Sequence, residues 1–145
     1  MTKQTILCAV MMLAGLGAAH ADGIDPIAVR RAGFSLNNGD WGYIRAIVAA
    51  KGDVKQLESP ASAIAKWTKV FPTLFPQGSE TGGDTKALPV IWSDRAGFEK
   101  IAAAAGEAAT KLAVAAKAGD ADAVAADTKL LGEQCGACHK TYRAK

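Results

Sequence analysis

The chain has 145 residues, half of them apolar, 6% aromatic and 21% charged. That length and mixture describe a single globular domain and exclude a disordered chain. The formal charge is only +3 and no long basic run occurs, so electrostatics give no reason to expect a nucleic-acid partner.

The N-terminus reads Met1-Thr2-Lys3-Gln4, then an apolar stretch from Thr5 to Ala19, ending Ala19-His20-Ala21. One positive charge, a short apolar run and a small-x-small site are the features of a secretory signal peptide. The run is too short to span a bilayer comfortably, which weighs against a retained membrane anchor and stable insertion. The expected division is therefore a signal peptide at 1–21 and one helical domain at 22–145 of an exported chain. Cleavage there removes Cys8, His20, Met1, Met11 and Met12, and leaves Cys135, Cys138 and His139 with no methionine.

The rest of the chain carries four helical stretches and no useful strand-like alternation. Asp25-Pro26 is a helix start, because Asp can cap and Pro tolerates the first helical position. Ile27, Phe34, Trp41 and Val48 then recur every seven residues and share one stripe. Gly33, Gly39 and Gly42 weaken this helix by about 1 kcal/mol each relative to Ala, and point to something bulky approaching its backbone. Gly52-Asp53 marks a stop and a new cap. Leu57, Ile64 and Phe71 follow at sevens, with Pro60 either kinking the helix or restarting it with Ser59 as cap. Pro72 and Pro76 end that helix, and residues 76–92 form a long loop of the kind that often walls a site.

Ser93 is the expected cap of a third, alanine-rich helix running to about Ala118, with Phe98, Ile101, Ala105 and Leu112 on one face. After Gly119-Asp120 a fourth helix begins at Ala121, with Val124, Leu131 and Cys138 at sevens. The short connections force antiparallel neighbours, so the expected fold is all-α, an antiparallel up-down-up-down four-helix bundle. Its alanine-rich inward faces leave the core underfilled, and a large apolar cofactor between the helices would fill it.

Cys135-Gly136-Ala137-Cys138-His139 is the C-x-x-C-H pattern of covalent c-type haem attachment. On a helix, Cys135 and Cys138 face the same way, so both thiols can add to the two vinyl groups on one porphyrin edge. His139, four residues after Cys135, joins that face and can reach the iron. A thioredoxin-like pair needs a strand and a βαβ setting. A structural zinc site needs four ligands, and a plain disulfide is the bland reading for an exported chain. The helical context and the export signal favour one covalent haem c.

Haem iron often takes a second ligand from Met or His, and after cleavage this chain has neither to spare. Lysine, the new amino terminus, Asn37 or Asn38 are the remaining donors. By subtraction the iron is bound by His139 alone, and an open, apolar far face favours small neutral diatomic ligands.

A four-helix bundle ending in Cys135-Gly136-Ala137-Cys138-His139-Lys140-Thr141-Tyr142-Arg143 resembles the cytochrome c′ family, the class II c-type cytochromes. Glu80-Thr81-Gly82-Gly83-Asp84, Ile91-Trp92-Ser93-Asp94, Ala118-Gly119-Asp120, and Arg30 followed by Phe34 are also similar to that family. The resemblance implies a periplasmic protein that binds nitric oxide and sometimes carbon monoxide, and a homodimer through the first two helices. It implies His139 as axial ligand, Phe34 over the open iron face, Arg30 with neighbouring Arg31 at a haem propionate, and Arg143 beside the proximal face. Phe75-Pro76-Gln77-Gly78-Ser79 is close to a low-spin branch that uses a methionine from the first helix, but Phe34 stands in that neighbourhood. The expected function is a gas-binding haem protein able to transfer electrons to periplasmic redox partners. The alternative is a low-spin carrier of electrons only. An enzyme such as a peroxidase is disfavoured, because the distal helix offers no His as acid or base.

Overall fold

The computed structural model describes residues 23–145; the expected signal peptide at 1–21 lies outside them. Four long helices form an antiparallel bundle: α1 (Pro26–Ala49), α2 (Glu58–Val70), α3 (Arg95–Ala118) and α4 (Ala121–Tyr142). None of the helices among the described residues is long and apolar enough to cross a membrane.

Local chemistry sets each boundary. Asp25 accepts a hydrogen bond from the Ile27 amide at 2.8 Å, and Pro26 fills the first helical position. The second helical segment does not start afresh with Ser59 as its cap. Asp53 caps a 3₁₀ turn, Val54–Leu57, and α2 begins at Glu58 with no side-chain cap. Pro60 is its third residue, where an amide would have no intrahelical partner anyway. The cap of α3 is Asp94, not Ser93. Ser93 closes a separate helical turn, Val90–Ser93, that follows Pro89, and the Asp94 carboxylate accepts from the Gly97 amide at 3.1 Å. Gly119 ends α3 in the left-handed region at φ 77°, and Asp120 caps α4.

The alanine faces do not leave the core evenly underfilled. They let α2, α3 and α4 close tightly around a cluster that includes Ile44, Leu57, Ile64, Leu112, Val124 and Leu131. At Gly106 an added Cβ would fall 2.5 Å from the Thr68 hydroxyl. A second, aromatic cluster joins Phe71, Phe75, Phe98 and Tyr142 at the loop end. The open space is confined to one side, where α1 packs on α2 but meets α4 sparsely.

Two polar anchors hold the loop that closes this side. Arg30 is 2% exposed. Its Nη1 donates to the Leu74 carbonyl at 3.1 Å and the Ser79 hydroxyl at 2.8 Å. Its Nη2 donates to the Ser79 carbonyl at 2.7 Å and the Thr85 hydroxyl at 2.8 Å. The guanidinium also lies 4.4 Å from the centre of the Phe75 ring. At the other end, Tyr142 donates to Asp94 at 2.7 Å. Its carbonyl accepts from the Leu88 amide at 3.0 Å, and Ala144 reaches the Lys86 carbonyl at 2.8 Å. Gly97 makes room for this pair: a Cβ there would lie 2.6 Å from the Tyr142 hydroxyl.

Two outcomes are expected. Arg30→Met strands buried acceptors in the loop and should lower unfolding stability by about 3 kcal/mol in denaturant titration; an unchanged midpoint would contradict the clamp. The hydrogen bond to Asp94, reinforced by burial and by nearby negative charge, pushes the Tyr142 hydroxyl from 10.0 up to about 12. Folding thus favours the protonated phenol. Its contribution is complete below pH 10 and is lost as pH rises toward about 12. Wild type should lose stability over that window more steeply than Tyr142→Phe, and equal slopes would contradict the pairing.

Candidate functional site

The gap between α1 and α4 is a cavity of about 710 Å³, within the roughly 300–1,000 Å³ of ligand pockets. Its walls are α1, the end of α2, α3 and the loop, and Cys135, Cys138 and His139 line it from α4. The C-x-x-C-H turn therefore borders the cavity, with Cys135 and Cys138 also packed against the two buried clusters.

Both thiols are free and half-buried. Burial raises the Cys135 thiol, partly offset by a backbone hydrogen bond, and raises Cys138 to about 11, with Cys135 adding to the effect. They stand as neutral thiols, not as thiolate metal ligands. Among the described residues no cluster of His, Cys, Asp or Glu could hold a bare metal ion. Burial first, and then the Arg143 charge, lower the His139 pKa below its ordinary value. The imidazole is thus kept neutral near pH 7, with a lone pair to offer.

Phe34 stands at the level of His139. The ring of Trp41 on α1 lies against Gly132 on α4, where a Cβ would approach it to 3.3 Å. In antiparallel helices of equal rise, seven residues back from Trp41 and seven on from Gly132 reach Phe34 and His139. Phe34 packs on Trp67 with ring centres 5.4 Å apart and on Phe71 at 5.2 Å. The distal wall is aromatic and apolar.

Arg30, Arg31, Phe34 and Arg143 all line the same cavity as the C-x-x-C-H turn. Arg30 is buried with both terminal nitrogens on the loop, whereas Arg31 is exposed, bonded to the Gly83 carbonyl at 2.8 Å and 3.8 Å from Asp84. Arg143 is exposed at the end of α4. Arg45 and Lys86 add two more positive side chains to the lining. The sequence reading did not single out Arg45, and only its place three residues before Val48 on the α1 stripe could have marked it.

These residues fit a porphyrin. The apolar lining could receive the ring, and the two thiols could hold it covalently. The positive side chains of the lining could meet its two carboxylates. Two buried polar atoms on the lining, Trp67 Nε1 and Asn37 Oδ1, have no protein partner, and polar groups at a cofactor's margin would satisfy them. Two of the three glycines on α1 do not serve a close approach: Gly39 and Gly42 face open space, and Gly33 receives Trp67.

Comparison with known proteins agrees with this geometry. The family model described as Cytochrome C′ matches residues 25–143. The chain is 32% identical over 148 residues to a cytochrome c′ of Rhodospirillum rubrum, covering 99% of each chain. It is 39% identical over 111 residues to a cytochrome c-556 of Agrobacterium tumefaciens, covering 74% of this chain and 87% of that one. A solved nitric oxide complex of a mutant cytochrome c prime from Alcaligenes xylosoxidans has a TM-score of 0.75 at 30% identity. That match covers 83% of this chain and 94% of the other. The attachment motif on the last helix, the cavity it faces and these likenesses agree, and the chain belongs to the cytochrome c′ family.

Proposed function

We propose that this chain is a periplasmic protein with one haem c held covalently by Cys135 and Cys138, which binds small diatomic gases. His139 is the one protein ligand to the iron. The observation that supports the reading is that Phe34 on α1 and His139 on α4 line the same cavity. Helix register sets Phe34 opposite His139, where it would leave the iron without a second protein ligand.

Bound haem supplies an iron that can take a diatomic molecule on its free face and exchange one electron. The chain's own residues set which of these happens. The lowered pKa of His139 keeps its imidazole in the coordinating form. Phe34, Trp67 and Phe71 exclude water and leave room for a small neutral molecule. Arg31, Arg45 and Lys86 offset the charge of the propionates, and Arg143 lies on the side of His139. Residues 23–145 contain no methionine and no histidine besides His139, which disfavours the low-spin, electron-only alternative. The same lack of a distal acid or base makes the chain a binder rather than an enzyme. Electron exchange with periplasmic redox proteins remains open to it through the cavity rim. The bare Leu36 and Tyr43 on α1, 76% and 42% exposed, support a homodimer through the first two helices.

The haem-loaded protein, reduced, should change its visible spectrum on adding carbon monoxide; a low-spin spectrum indifferent to the gas would overturn the proposal. Phe34→Ala should raise the association rate of carbon monoxide about tenfold or more, equivalent to roughly 1.4 kcal/mol of barrier. An equal rate in wild type and variant would place Phe34 elsewhere. His139→Ala should remove the proximal imidazole signature, and an unchanged spectrum would remove His139 from its role.

A further inference from the structure

We infer that Trp67 is a positioning residue that fixes the size of ligand the site admits. Seated on the bare backbone of Gly33, it braces the Phe34 ring beside the cavity that His139 also lines. The inference rests on the placing of Phe34 proposed above and goes beyond it.

Gly33 is the residue before Phe34 and lies within regular helix, so its backbone conformation does not call for glycine. Space does. A Cβ at Gly33 would lie 2.5 Å from Cζ2 and 2.6 Å from Cζ3 of Trp67, and nearer still to Cη2. The six-membered edge of the indole thus rests directly on the α1 backbone. Gly39 and Gly42 on the same helix have nothing within 4 Å, so this fit belongs to position 33.

The consequence falls on Phe34. Its ring stands at 88° to Trp67, with centres 5.4 Å apart, and at 50° to Phe71, with centres 5.2 Å apart. Trp67 and Phe71 are themselves 6.0 Å apart, so the three rings close a triangle. Phe71 is backed in turn by Phe98 at 5.7 Å. A side chain held on two sides cannot turn aside to admit a bulky ligand. Trp67 is the removable member: it comes from α2 and touches α1 only because residue 33 lacks a side chain. A neutral diatomic can enter beside a fixed ring, whereas a ligand with an alkyl tail needs the ring to move.

The test is a double-mutant cycle on the haem-loaded full chain, with Trp67→Leu, Phe34→Ala and both together. The probes are carbon monoxide and ethyl isocyanide. Trp67→Leu should speed carbon monoxide roughly tenfold, as expected when aromatic edge contacts of this kind are lost, and should speed the isocyanide more. In the Phe34→Ala background the same change should have no further effect on either rate. The near-ultraviolet circular dichroism bands of Trp67 should weaken in Phe34→Ala, which leaves the indole in place without its partner ring, and an unchanged band would contradict the contact. Gly33→Ala, which displaces the indole, should reproduce the Trp67→Leu rates; should it fail to fold, the cycle decides alone. If Phe34→Ala speeds binding while Trp67→Leu does not, the brace is overturned and the gas-binding reading stands. If Trp67→Leu acts equally with and without Phe34, it works by another route and the inference also fails. If Phe34→Ala changes nothing, Phe34 does not cover the iron, and both readings fall together.

Discussion

The meeting of α2 and α3 depends on small side chains. Gly106 lets the Thr68 hydroxyl sit where a Cβ would stand, and Ala108, Ala109, Ala115 and Ala116 are buried in the same cluster. These contacts give little area each, but they bring backbones close and pack them densely. The aromatic side chains Phe34, Trp67, Phe71, Phe75 and Phe98, in contrast, line the cavity on the side where α1 faces α4. The bundle is therefore closed on three helices and propped open at the fourth. That asymmetry places a slot beside Cys135, Cys138 and His139 instead of a uniform core.

Besides Ile44 in the main core, three contacts spread along its length hold α1 in this stance. Near its start, Arg30 ties it to the loop through four hydrogen bonds. At mid-length Gly33 and Phe34 rest on Trp67. Toward its end Trp41 lies against Gly132. A buried guanidinium is costly unless its donors are met, and here carbonyls and hydroxyls of the loop meet them. The same bonds make the loop a fixed wall, which explains how a long segment with little regular structure can bound a site.

Much of this architecture is legible in the residues. The heptad stripes in all four helices, the Asp25-Pro26 start and the Gly119-Asp120 turn are local patterns, and the helices follow them. The C-x-x-C-H spacing works within one turn, so the attaching face needs no tertiary information. What depends on partners far along the chain was not legible. Ser79 and Thr85 are 49 and 55 residues from Arg30, and nothing near Arg30 announces them. The cap of α3 moved from Ser93 to Asp94 because Pro89 starts a separate helical turn that uses Ser93 up. The glycines of α1 read as a single cradle, yet only Gly33 is one, and for an indole of the same chain. Nothing local to Trp67 marks its role, because its meaning lies in what the neighbouring helix lacks.

Electron paramagnetic resonance of the ferric, processed protein at neutral pH is the most direct probe of the iron's surroundings. An imidazole on one side and a phenyl ring on the other predict an axial, high-spin signal. A rhombic low-spin signal would show a second strong donor in the place given to Phe34, and would contradict the account.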